Sequence, residues 1–282
     1  MSTISELLDY ASVRLTALDT PRLDAELLLA HCLNVRQSHF LTWPDQHVET
    51  DRKDRFLDLV TRRAEGEPVA YLLGHWGFWS LDLLVTPDVL IPRPETELLV
   101  EQTLAALPAS APMQIADLGT GSGAIALAIA RERPNWRVIA TDRSEAALAI
   151  ARDNAQRNGV RNVEFRLGSW CETLTESDLD LIVSNPPYIA DADPHLAQLQ
   201  FEPASALAAG RDGLDDIRDI VRCVHAHLFI GGMLLLEHGY DQQDAVIFEL
   251  ETQGFADVRG FRDLAGQARA VMGRRGGLRS PP

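Results

Sequence analysis

The stretch "SNPPYI", Ser184 to Ile189, follows the apolar run "LDLIV". Open α/β sheets bind ligands at the carboxyl ends of such strands, and this one ends in a carboxamide, two prolines and a phenol. Consecutive prolines remove two backbone donors and fix φ, so the carbonyls of the turn are rigidly aimed and lack local partners. The oxygen of Asn185, together with a rigid carbonyl such as that of Pro186, can accept both hydrogens of a planar NH2 group. Tyr188, after Pro187, can lie against that group or near a sulfonium. A nitrogen conjugated to a carbonyl or an aromatic ring is a poor nucleophile. It gains from being held in line with an activated methyl group and polarised by acceptors, and its proton can leave after methylation without an obligatory base. The plain alternative is a tight turn, since Asn-Pro and Pro-Pro are ordinary turn dipeptides.

Upstream, "ADLGTGSGAIA" sets Gly119, Thr120, Gly121, Ser122 and Gly123 between a strand and a helix, where missing side chains let backbone N–H groups approach a ligand. Gly119, Gly121 and Ala124 also satisfy the dinucleotide fingerprint, so the turn alone leaves nicotinamide and S-adenosylmethionine enzymes both open. The next strand ends in "ATD", which brings Asp142 to the same edge of the sheet, placed to accept hydrogen bonds from ribose hydroxyls. Without the glycines, Asp142 would read as a mere neighbour of the helix capped by Ser144. With them, Asn185 and Asp142 are expected to share one crevice.

These residues need elements to hold them. From Thr3 to about Gly66 the pattern is helical: Thr20 is offered as an N-cap with Pro21 at the first helical position. A further helix starts near Thr50, with Phe56, Val60 and Ala64 on one face. Residues 1–72 therefore read as a small helical bundle. "GHWGFWSLDLLV" suggests a short hairpin about Ser80. Together with the run holding Pro87, Pro92 and Pro94, it makes a linker over residues 73–94. From Met113, apolar strands alternate with helix-length amphipathic segments, the pattern of a parallel sheet wrapped by helices, and "ADVRGFRD" with "ARAVMGR" reads as a final antiparallel pair. This domain spans 95–275, and 276–282 reads as a disordered tail.

Composition narrows the partners. The formal charge of -15, from 41 acidic against 26 basic residues, repels phosphate backbones, so no direct nucleic-acid binding is expected. No apolar run reaches the roughly 18 residues of a membrane span, and the N-terminus lacks the basic-then-apolar pattern of a signal peptide. Cys32, Cys171 and Cys223 stand at wide spacings, no two of them forming a metal or redox motif, which points to a reducing, cytoplasmic setting. The eight histidines are scattered, none at metal spacing from a carboxylate or cysteine, so no metal is assigned.

Over most of its length the chain resembles the HemK/PrmC family, the protein-(glutamine-N5) methyltransferases that modify peptide chain release factors. The resemblance is carried by "GEPVAYLLG", "FWSLDLLVTPDVLIPRPETE", "DLGTGSGAIALA", "SNPPYI" and "FEPASALAAGRDGLD". It implies an α/β fold: a seven-stranded Rossmann-like S-adenosylmethionine methyltransferase domain preceded by a small helical bundle and a β-hairpin linker. It implies that Gly119 to Gly123 and Asp142 hold S-adenosyl-L-methionine, with S-adenosyl-L-homocysteine as product, and that Trp170 lines the adenine. Asn185, Pro186, Pro187 and Tyr188 then match the motif that holds the glutamine of a Gly-Gly-Gln loop, and the helical domain helps engage the release factor. Arg93 and Glu202 are weaker candidates for shaping the pocket and ordering a covering loop; Glu202 reads equally well as a solvated loop charge. Trp170, on the residues alone, reads equally well as core packing. Three other readings stay open: an adenine-N6 methyltransferase, which would need a basic groove; a nicotinamide oxidoreductase, which leaves NPPY unused; and a module that keeps cofactor and only docks.

Overall fold

A computed structural model describes residues 2–276. The expected tail, 276–282, lies outside the described residues except for Gly276. The chain divides into two compact units, residues 1–75 and 76–282.

The first unit is built from α1 (Ile4–Arg14), α2 (Pro21–Leu33), α3 (Ser38–Thr42), α4 (Thr50–Ala64) and α5 (Val69–Leu73). Thr3 and Glu6 close a reciprocal capping box on α1, satisfying amides that the first helical turn leaves without partners. Thr20 does not cap α2. Its hydroxyl donates to Asp24 at 2.8 Å, and Asp24 in turn accepts from Arg63 of α4 at 2.7 Å. The buried face of α4 is Phe56, Leu59 and Val60, while Ala64, expected on that face, is exposed as the last residue of the helix.

A hairpin of β1 (His75–Phe78), whose first residue belongs to the first unit, and β2 (Leu81–Leu84) opens the second unit, followed by a 3₁₀ turn over Pro94–Thr96 that leads into α6 (Glu97–Ala106). β3 (Gln114–Leu118), α7 (Ala124–Glu132), β4 (Arg137–Asp142), α8 (Glu145–Arg157), β5 (Val163–Leu167) and β6 (Leu179–Ser184) follow. The chain then forms α9 (Asp215–Cys223), β7 (Leu228–Glu237), α10 (Gln243–Thr252), β8 (Phe255–Arg262) and β9 (Ala268–Arg275). The sheet order is β5-β4-β3-β6-β7-β9-β8. Pairs from β5 to β7 are parallel, and β9 runs antiparallel between β7 and β8. Strands buried on both faces explain why β3, β4 and β6 are mostly apolar rather than alternating, with Asp117, Thr141 and Asp180 as the polar exceptions away from their ends.

The hairpin, expected as part of a linker, is tied to α8. Asn154, fully buried, accepts from the Leu84 amide at 2.6 Å and donates to the Leu84 and Ser122 carbonyls. One side chain thus joins the hairpin to the start of α7.

Cysteine spacing misled. Cys171 and Cys223 are 52 positions apart but their Cα atoms are 6.1 Å apart, and they form a disulfide between the segment after β5 and the end of α9. That pairing is set by the crossover, which local spacing does not encode. Thiol titration of the denatured chain should find one free thiol, Cys32, without reductant and three with it. Three thiols in both samples would remove the bond.

Candidate active site

Strand register builds the site. Leu118 pairs with Thr141 and with Ser184, and Ser184 pairs with Leu236. The next residues, Gly119, Asp142, Asn185 and Glu237, therefore lie together at one carboxyl edge of the sheet. The order reverses between β3 and β6, the switch point where such sheets open a crevice. There the Ser184 hydroxyl donates to the Leu118 carbonyl at 2.6 Å, joining the two strands just before their loops part.

The glycine turn works differently from the expectation that its amides face a ligand. The amides of Gly119 and Thr120 both donate to the Thr141 carbonyl at 2.9 Å, and that of Gly121 donates to Asp142 Oδ2 at 2.9 Å. The Gly123 amide donates back to Thr120. What the glycines contribute is room: a Cβ on Gly119, whose φ is +73°, would stand 3.0 Å from the Trp170 ring. Asp142 also accepts from the Ser144 amide at 2.8 Å, so its carboxylate is fixed by two backbone donors with lone pairs to spare. Ser144 caps α8 as expected, accepting from Ala147. Trp170 sits in the left-handed region, with its carbonyl accepting from the Thr141 hydroxyl at 3.1 Å and its indole bonded to Asp216.

Beneath the turn lies Asp117, fully buried, which accepts from the Thr120 hydroxyl at 2.6 Å and the Ala126 amide at 3.2 Å. Burial pushes its pKa up to about 7, against the pull of those two donors. The folded state then holds a proton that the unfolded chain releases near pH 4, so this group's contribution to stability falls as pH rises from about 4 through 7. Wild type should gain stability relative to Asp117→Asn as pH is lowered from 8 to 6, read from urea midpoints at constant ionic strength. A pH-independent difference would mean that Asp117 stays ionised.

In the NPPY segment Pro186 and Pro187 are buried and Asn185 is half-buried. Asn185 Nδ2 donates to the Thr96 hydroxyl at 3.1 Å, which leaves Oδ1 as the end not engaged by Thr96. The Tyr188 hydroxyl donates to Glu237 at 3.2 Å, and burial beside that acid pushes the phenol pKa up. The Tyr188 carbonyl has no partner within the turn but accepts from the distant Gln242 side chain at 2.9 Å.

Glu202 is buried rather than solvated. It pairs with Arg93 and accepts from the Ile91 amide at 3.1 Å, joining "LIPRP" to "FEP". Removing it strands a half-buried guanidinium. Glu202→Ala should destabilise by about 2 kcal/mol, below the roughly 3–5 kcal/mol of fully buried pairs because Arg93 reaches solvent. Urea denaturation checks this, and an unchanged midpoint would make the pair ornamental.

A cavity of about 260 Å³ collects these elements. Arg93, Gly119, Thr120, Gly121, Ser122 and Asp142 line it together with Trp170, Asn185 and Pro187; Gly123, Pro186, Tyr188 and Glu202 are not among its lining residues. Sequence reading missed the wall formed by Pro87 to Leu90 and by Ser205 and Ala206, together with Thr96. A signal existed for the first wall: a run that cannot be regular yet carries apolar Val89 and Ile91, both buried. Among the described residues no group of acids, histidines and cysteines is set to hold a metal, and no helix is long and apolar enough to cross a membrane.

Residues 94–208 match the family model "Methyltransferase small domain", and residues 6–74 match "PrmC N-terminal domain". The T. thermophilus 16S rRNA N2 G1207 methyltransferase, solved in complex with AdoMet and guanosine, superposes with a TM-score of 0.54 at 18% identity, over 71% of this chain and 49% of that one. That likeness speaks for the fold. Sheet order, glycine turn and domain match define a methyltransferase. The release factor glutamine methyltransferase of Pseudomonas aeruginosa is 52% identical over 97% of this chain and 99% of its own length, and that of Coxiella burnetii 49% identical over 98% and 100%. The chain belongs to the release factor glutamine methyltransferase family.

Proposed function

We propose that the protein methylates the side-chain amide nitrogen of the glutamine in the Gly-Gly-Gln loop of peptide chain release factors, using S-adenosyl-L-methionine and no metal. The observation that carries this reading is a carboxamide, Asn185, facing the same cavity as Asp142 and Trp170 in a chain whose relatives of that name match it end to end.

The residues fit the methyl donor. Trp170, whose ring packs close over Gly119 where a Cβ would stand only 3.0 Å from it, lines the cavity and offers an aromatic surface to a flat base. Asp142, held by two backbone amides, offers remaining lone pairs to ribose hydroxyls. When bound, the donor supplies an electrophilic methyl on a sulfonium. Asn185 Oδ1 accepts from the substrate NH2, orients its nitrogen toward that methyl and stabilises the positive charge that grows on it, while Pro186, which does not line the cavity, stiffens the turn that carries Asn185. The extra proton leaves to solvent after transfer, so no general base is assigned. Tyr188, with its hydroxyl on Glu237, supports the clamp from behind.

Residues 6–74, the part matched to the PrmC N-terminal domain, are read as the element that engages the release factor. The net charge of -15 argues against direct nucleic-acid contact, and a substrate of translation implies a cytoplasmic setting. Incubation with purified release factors and methyl-labelled S-adenosylmethionine, followed by peptide mass mapping, tests the proposal. Label on the Gly-Gly-Gln glutamine is the expected result. Label on adenine in nucleic acid, or none with cofactor bound, would replace it with the adenine-methylating or docking reading.

A further inference from the structure

An asparagine amide fills nearly the same space in two orientations that differ by exchange of oxygen and nitrogen. Only one of them turns Oδ1 toward an incoming NH2 group, and a clamp that flips freely would present a donor to a donor. We propose that Thr96, backed by Glu237, is the positioning residue that fixes this orientation, an inference that rests on the methyl-transfer reading above.

Asn185 Nδ2 donates to Thr96 Oγ1 at 3.1 Å. Thr96 is 4% exposed, at the end of the 3₁₀ turn that leads into α6, and its branched side chain has few rotamers in which to turn away. Having accepted from Asn185, its hydroxyl keeps one proton to give. The Glu237 carboxylate, 1% exposed, is its hydrogen-bonding neighbour. Oε1 of that carboxylate accepts from Tyr188, and Oε2 has no partner at close hydrogen-bond distance, so the approach from Thr96 is loose. A flipped amide would set its oxygen against Thr96 and draw the hydroxyl proton off Glu237. The carboxylate would lose even the loose approach of Thr96 and keep Tyr188 as its one close donor, and weakening the contacts of a buried acceptor is costly. As folded, Asn185 is held by Thr96 and Glu237 Oε1 by Tyr188, with the Thr96 hydroxyl at loose reach of the same carboxylate.

The same carboxylate holds both ends of the motif: Asn185 through Thr96, and Tyr188 directly. Strand register makes this possible, because Glu237 and Asn185 follow the paired residues Leu236 and Ser184 on adjacent strands.

The test uses the full-length enzyme and intact release factor. Thr96→Val removes the hydroxyl but keeps the branched shape, and Thr96→Ser keeps the hydroxyl. Thr96→Val should lower the single-turnover rate by about 10- to 100-fold, the loss typical when the partner that orients a ligating side chain is removed. Affinity for S-adenosylhomocysteine and KM for the release factor should stay unchanged, and Thr96→Ser should stay near wild type. In an Asn185→Ala background, Thr96→Val should slow the reaction no further, because residues acting as one unit are not additive. If the valine variant does not fold, Thr96→Ala removes the same hydroxyl without setting a methyl against Asn185. A hydroxyl-free variant at wild-type rate, a serine variant as slow as valine, or full additivity with Asn185→Ala would each overturn the inference. A wild-type enzyme that leaves the glutamine unmodified brings down the methyl-transfer reading and this inference with it, whereas a fast Thr96→Val beside an active wild type sinks the inference alone.

Discussion

Asn185→Ala should slow methyl transfer by about 100-fold or more, the usual loss of one preorganised contact to charge that develops in the transition state, while cofactor binding persists. Alanine removes the Oδ1 acceptor and leaves the Thr96 hydroxyl without the N–H it now accepts, yet it touches neither Asp142 nor the glycine turn. Asn185→Asp should be defective as well. It keeps acceptors but replaces the N–H donor, so two carboxylates, the introduced one and that of Glu237, would compete for the single Thr96 proton. Its negative charge would also draw in the cationic donor, so tight cofactor binding can accompany slow transfer. Single-turnover rates at saturating cofactor, with circular dichroism as the folding control, check both variants. An Asn185→Ala enzyme within a few-fold of wild type would reduce "SNPPYI" to a structural turn.

Asp142→Ala should weaken S-adenosylhomocysteine binding by roughly 10- to 100-fold, because hydrogen bonds to a charged group are worth about 1.5–3 kcal/mol. Two effects share that loss. The ribose acceptor disappears, and the Gly121 and Ser144 amides lose the carboxylate that fixes the turn and the start of α8. Asp142→Asn separates them, since an amide keeps an acceptor for one backbone donor and removes the charge. Calorimetry should rank wild type above Asn and Asn above Ala. Unchanged affinity in a folded Ala variant would take Asp142 out of the site.

Much of the sheet was legible because it rests on local rules. Largely apolar runs marked β3, β4 and β6, the glycine turn followed β3, and the position of Asp142 at the end of β4 followed from alternation alone. Thr96 and Glu237 were not legible, because their meaning arises where the start of α6 and the end of β7 meet, far apart in the chain. The role of the glycines was misread for a related reason. The amides of Gly119 and Gly121 are spent on Thr141 and Asp142, one strand away, and pairing across β3 and β4 is not visible in "GTGSG" itself. The Cys171–Cys223 bond was hidden by the same long-range crossover. Thr20 shows the limit at short range: the residue type suited a cap, but a nearby acid partnered with Arg63 drew its hydroxyl away.

The central claim is that one cavity holds the methyl donor and the glutamine amide with Asn185 between them. A crystal structure of the enzyme with S-adenosylhomocysteine and a glutamine-bearing Gly-Gly-Gln peptide tests it most directly. The account predicts adenine against Trp170, ribose hydroxyls on Asp142, and the glutamine NH2 on Asn185 Oδ1 with its nitrogen directed at the sulfur. Glutamine bound elsewhere, or its carbonyl rather than its NH2 facing Asn185, would contradict it.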